Sequence, residues 1–139
     1  MSKSKLVGIV ACSGEELPEG TVSRVAVWKV FESLKSSSIV TTCLPLFMAG
    51  HKQEREFVWT HPTVTIEGCE KRCAEKALRM FGGKPSATIL VTDVEKETGL
   101  VPKSRVYLGE DGEKLVDRVA EKVENEVKIL LSKGGDNDE

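Results

Sequence analysis

The chain switches repeatedly between two hydrophobic periodicities. Short apolar runs rich in β-branched residues, Leu6-Val7-Gly8-Ile9-Val10, Ile39-Val40-Thr41-Thr42-Cys43-Leu44, Thr63-Val64-Thr65-Ile66 and Ala87-Thr88-Ile89-Leu90-Val91, alternate with stretches whose apolar residues recur at helical spacing. Runs of this length bounded by Gly, Pro or Ser read as strands, and the longer stretches between them as helices. A strand that is apolar throughout needs cover on both faces. The pattern therefore predicts βαβ units and an α/β fold: a single-domain, doubly wound, mostly parallel sheet of four to five strands with helices on both faces, Rossmann-like or flavodoxin-like.

The helical stretches can be bounded in turn. Val22, Val25, Ala26, Val30 and Leu34, with Phe31 beside them, mark a first helix that Ser36-Ser37-Ser38 ends, and Pro45 closes the second strand. Residues 53–59 predict a short helix, broken by His61-Pro62 before the third strand, and Glu67-Gly68 is the turn beyond that strand. Residues 69–81 predict a helix with Ala74, Ala77, Leu78 and Phe81 toward the core and Gly82-Gly83 at its C-cap. After the fourth strand, residues 93–105 read as a polar connection in which Gly99 and Pro102 deny a long helix, and Val106-Tyr107-Leu108 as a short edge strand. Leu115, Val116, Val119, Val123 and Val127 mark a long amphipathic helix over residues 114–132, so that residues 1–133 form one domain and 134–139 a frayed acidic tail.

With 139 residues and 40% hydrophobic content the chain can bury a continuous core without staples. Its 20 basic and 22 acidic residues are interspersed, which argues against a polyanion-binding surface and against nucleic acid as the partner. The apolar run at residues 6–11 lacks the length and cleavage site of a signal peptide, and no run approaches the roughly 20 apolar residues that span a bilayer. The expected location is the cytoplasm, without a membrane partner.

In a reducing compartment cysteines stay reduced unless they are catalytic, redox-sensing or metal-bound. Cys12 follows the first strand, Cys43 ends the second, and Cys69 and Cys73 follow the third. In a parallel sheet these are all carboxyl ends, which share the rim where open α/β sheets bind their ligands. Cys69 and Cys73, four apart on the expected helix, face one side about one turn apart and are placed to grip one ion. Cys12 and Cys43 complete a tetrahedral four-thiolate set of the kind zinc prefers, with Zn–S distances of roughly 2.3 Å. Free amides and the dipole at a helix start favour thiolate at Cys69, and Lys71, Arg72 and Lys76 offset part of the charge of four thiolates. The competing reading is that any one of these cysteines is simply a small hydrophobe in the core.

Other residues carry weaker signals. Ser13-Gly14 after the first strand lacks both the P-loop and the dinucleotide glycine patterns. His51 and His61 read as surface residues rather than ligands, and Trp28 and Trp59 as packing residues. Glu67 reads as a turn carboxylate near a helix start, because a complete shell of four thiolates leaves no metal position for the water that a general base would activate.

The segments Ala11-Cys12-Ser13-Gly14, Cys43-Leu44-Pro45 and Ile66-Glu67-Gly68-Cys69-Glu70-Lys71-Arg72-Cys73-Ala74 together resemble the DGC-type family, small prokaryotic proteins named for an Asp-Gly-Cys motif. The likeness spans residues 7–93, with Glu67 in place of the naming aspartate and a longer loop at residues 15–20. The resemblance implies zinc held through four cysteines, which map onto Cys12, Cys43, Cys69 and Cys73. It implies no reaction.

Two function classes follow. In the first, the protein is a binding module whose one Zn(II) ties the rim, with a structural, metal-handling or regulatory role; an iron–sulfur cluster is the variant that four thiolates also suit. In the second, it is a thiolate-based redox or transfer enzyme with Cys69 as nucleophile and Cys73, Cys12 or Cys43 as resolving partner.

Overall fold

The computed structural model describes residues 5–34 and 37–137, with side chains as far as residue 133. Four strands, β1 (Val7–Ala11), β2 (Ile39–Thr41), β3 (Thr63–Glu67) and β4 (Ala87–Leu90), form one sheet in the order β2-β1-β3-β4, and every neighbouring pair is parallel. The fold is thus the α/β, doubly wound arrangement that the alternating periodicities predict. The chain steps from β1 outward to β2, then returns to the other side of β1 for β3 and continues to β4. Strand order reverses between β1 and β3, so the switch point lies at the ends marked by Ala11 and Ile66, which are paired in register.

Helices cover both faces. α1 (Pro18–Ser33), α5 (Val91–Thr98) and α6 (Gly109–Asn137) lie on one side, where Val22, Val30, Val94, Leu115 and Val119 pack against Val7, Ile9, Val64 and Ile66. On the other side α2 (Leu44–Met48), α3 (Lys52–Thr60) and α4 (Cys73–Met80) bring Phe47, Val58, Ala74 and Leu78 against Val10 and Cys12. The alternation of Ile9 and Val10 between the two clusters is the two-residue strand period at work in a strand buried on both faces. Among the described residues no helix is long and apolar enough to cross a membrane.

Several boundaries differ from the expected ones. The first helix ends at Ser33, with Leu34 extended as its cap; Ser36, expected to help end it, lies outside the described residues. β2 stops at Thr41, short of the expected end at Leu44-Pro45, and Pro45 instead sits in the first turn of α2, a five-residue helix, since proline is preset for a first turn. Val91, expected in the fourth strand, is the first residue of α5, and the polar connection at residues 93–105 contains that helix, stopped by Gly99 at φ 74°. Val106-Tyr107-Leu108 is not an edge strand. Backbone bonds from Lys103 to Leu108 and from Ser104 to Tyr107 close a tight turn, with Val106 96% exposed and only Leu108 buried. α6 begins at Gly109 rather than residue 114 and continues through Asn137, into the stretch expected as a frayed tail, of which residues 138–139 lie outside the described residues.

Candidate metal centre

Cys12 lies one residue beyond β1, where its backbone N–H still bonds to the carbonyl of Ile66 at 3.0 Å and keeps it in line with the strand. Its side chain is buried, with Sγ accepting the Gly68 N–H at 3.3 Å and lying 3.4 Å from Ser23 Oγ. Ser23 Oγ also bonds the Gly20 carbonyl at 2.6 Å, so its hydroxyl stands between that oxygen and the Cys12 sulfur. Burial pushes the Cys12 thiol above its ordinary range; the bonds from Ser23 and Gly68 offset part of this, and the negative charge of Glu67 and Cys73 adds to it. Cys12 is therefore a protonated thiol at neutral pH.

Three glycines bring the surrounding loops together. A Cβ on Gly20 would stand 2.2 Å from Gly14 Cα, and one on Gly68 would stand 2.8 Å from Gly20 N. These contacts are backbone against backbone, so the loop after β1, the start of α1 and the loop after β3 meet at the switch point at a distance only glycine allows. Gly14 also holds φ 69°, in the left-handed region. The close approach sets the Gly68 N–H against the Cys12 sulfur. Sequence reasoning treated these glycines as loop residues; their recurrence beside the strand ends was the available signal.

Cys69 and Cys73 do not share a helix. α4 begins at Cys73, and residues 69–72 form a turn in which the Arg72 N–H bonds to the Cys69 carbonyl at 3.2 Å. Arg72 sits at φ 55°, the one described non-glycine residue in the left-handed region. The physical cause lies in Glu67, whose fully buried carboxylate accepts the N–H groups of Ala74 at 3.1 Å and Glu75 at 2.7 Å. Capping from outside at those amides fixes the helix start at Cys73. The support expected for a Cys69 thiolate from the helix start is consequently absent: the helix begins a turn later and two of its free amides are taken by Glu67. Burial raises the Glu67 pKa while the two backbone bonds lower it in part. The sequence reading of Glu67 as a carboxylate near a helix start thus holds, but its complete burial was not legible.

Cys43 is the N-cap residue of α2 and is exposed, not a core residue, whereas Cys69 is half-buried and Cys73 exposed. Cys43 and Cys12 line one cavity of about 470 Å3 with Trp28 and Arg24. All four cysteines are free thiols. The donors therefore fit a soft, four-coordinate ion in kind, and all four stand on carboxyl-end loops. Among the described residues, however, no group of three or more potential ligands stands close enough to hold an ion.

The remaining candidates fall elsewhere. His51 is an exposed cap of α3, and His61 precedes β3, at the opposite end of the sheet, stacked on Phe57 with centroids 4.2 Å apart. Of the offsetting cations, Arg72 pairs with Glu75 at 3.2 Å, while Lys71 and Lys76 are exposed. Trp28 and Trp59, expected as packing residues, are 60% and 53% exposed. Trp59 anchors its ring by donating to the Phe81 carbonyl at 2.8 Å, and Trp28 leans on Phe31 with ring centroids 5.7 Å apart.

No curated protein and no solved structure matches the chain. The family model described as the DGC domain matches residues 8–127, a span that extends the likeness seen at residues 7–93 onward through most of α6. With the match covering most of the sequence and all three cysteine-bearing segments, this chain belongs to the DGC domain family.

Proposed function

We propose that this protein binds one Zn(II) through Cys12, Cys43, Cys69 and Cys73 at the carboxyl rim of the sheet, in a metal-handling or regulatory role. The observation that supports the reading is the position of Cys12: it lines a cavity with Cys43, while Cys69 and Cys73 follow β3, the strand paired with β1, at the same end of the sheet. Cys69 lies in the turn that leads into Cys73. Binding would gather the exposed Cys43 and the turn at residues 69–72 about Cys12, and would displace the Cys12 proton, since zinc takes thiolate.

The metal would cross-link the rim loops. The thiolate-enzyme reading centred on Cys69 loses its main support, because α4 starts beyond that residue.

The test is metal content per chain, measured by elemental mass spectrometry on protein purified anaerobically without chelator and again after incubation with zinc. About one zinc per chain is expected, falling in Cys43→Ser and Cys73→Ser. Protein that takes up no zinc overturns the proposal, and iron with acid-labile sulfide in its place redirects it to a cluster.

A further inference from the structure

The cavity that Cys12 and Cys43 share opens between the carboxyl ends of β1 and β2 and the outer face of α1, on the opposite side of β1 from the turn that carries Cys69. Its volume, about 470 Å3, suits a small molecule. Two charged groups line it. Arg24 donates through Nε to the Ser13 carbonyl at 3.0 Å, which orients the guanidinium, and Arg24 enters no ion pair among the described residues. Glu15 lines the same cavity, and its carboxylate likewise has no ion-pair or hydrogen-bond partner among the described residues. A guanidinium and a carboxylate that border one cavity without pairing with each other are two separate sites of opposite charge. The same cavity is lined by the buried Val27 and Leu44 and by the 60% exposed ring of Trp28. An aromatic ring left this exposed beside a cavity offers a ligand the contact that the core does not take.

We infer that this cavity binds a small zwitterion of the amino-acid type, with its carboxylate on Arg24, its ammonium on Glu15 and its side chain against Trp28. The guanidinium fork matches a carboxylate in two-point geometry, and the Glu15 carboxylate, whose backbone carbonyl accepts from Arg105 Nη1 at 3.1 Å, supplies the complementary charge for an ammonium. The site stands independently of the zinc reading, because neither charged contact uses a thiol. It would place the bound molecule beside Cys12 and Cys43.

The experiment is a 1H–15N correlation titration of the full chain, first without and then with added zinc, against the free proteinogenic L-amino acids, followed by the N-acetyl and methyl ester forms of the best binder. The expected result is a saturable shift of the Trp28 indole N–H and of the amides of Arg24 and Cys43 with at least one amino acid. Blocking either charge should weaken binding about tenfold or more, and Arg24→Gln should do the same to the free amino acid while leaving the ester unaffected. Cys73→Ser, outside this cavity, should keep this binding even where it lowers zinc content, which separates failure of one proposal from failure of the other. The inference is overturned if no amino acid gives a saturable shift at these residues, if the blocked forms bind as tightly as the parent, or if binding appears only with zinc present, which would be chelation to the metal.

Discussion

The carboxylate of Glu67 accepts the backbone N–H of Glu75 at 2.7 Å, eight residues along the chain and across the turn that carries Cys69. That bond joins the last residue of β3 to the first turn of α4, with a second bond to Ala74 beside it. It closes residues 69–72 into a turn of fixed length and so sets where the two thiols of the segment stand. Removing the carboxylate leaves two amides without their acceptor, one of them buried. Glu67→Ala should lower stability by about 2 kcal/mol in urea unfolding, from the lost cap and the unsatisfied donors. Glu67→Gln, which keeps an acceptor, should cost less. Equal and negligible losses for both variants would show that the cap does not hold the turn.

The glycine contact at the switch point makes a sharper demand. A Cβ on Gly20 would meet Gly14 Cα at 2.2 Å, and neither partner is a side chain that can swing aside. Gly20→Ala should therefore destabilise by more than about 2 kcal/mol through forced separation of the two loops. Gly99→Ala is the comparison: the position has φ 74° but nothing within 4 Å, so it should cost only about 1 kcal/mol of left-handed strain. Thermal unfolding of the two variants side by side checks the order, which a reversal would refute.

How much of this was legible in the sequence differs by element. β1 announced itself as a short run without polar interruptions, and β3 because Thr63, Val64, Thr65 and Ile66 are all β-branched. α2 was hidden because five residues opened by Leu44-Pro45 are too short to show a helical period, and α5 because its first residue, Val91, continues the apolar run of β4. The rim placement of Cys12, Cys43, Cys69 and Cys73 followed from strand order alone. The start of α4 did not, since the pattern of Ala74, Ala77 and Leu78 fits a helix beginning at Cys69 equally well. Only the long-range bonds from Glu67 decide between the two. The exposure of Trp28 was likewise invisible, because an aromatic residue near a helical apolar stripe reads as core until its surroundings are known.

A half-buried carboxyl pair ties stability to pH. Glu95, on α5, meets Glu19, in the first turn of α1, and its Oε2 is buried without a hydrogen-bond partner. Burial first, then the hydrogen bond and charge of Glu19, push the Glu95 pKa up to about 8. The folded state thus keeps a proton that the unfolded chain releases in the ordinary carboxylate range. This contribution is fully present below that range and is lost as pH rises toward about 8. Melting temperature should fall across that window in the wild type, and Glu95→Gln should flatten the fall by holding the group neutral. An unchanged slope in the variant would refute the assignment.

Thiol accessibility orders the cysteines in a way that zinc should alter. Cys12 is 8% exposed and is raised in pKa by burial, while Cys43 and Cys73 are exposed. Alkylation depends on access and on the thiolate fraction, so both factors slow Cys12. Iodoacetamide labelling followed by peptide mass spectrometry should find Cys43 and Cys73 modified first and Cys12 last. Because Cys12 must lose its proton to become a ligand, zinc uptake should strengthen with rising pH. Zinc at saturation should then protect Cys43, Cys69 and Cys73, whose access would no longer be set by solvent exposure alone. Protection confined to one or two of these thiols would break the four-ligand set and leave zinc held by a smaller group around Cys12.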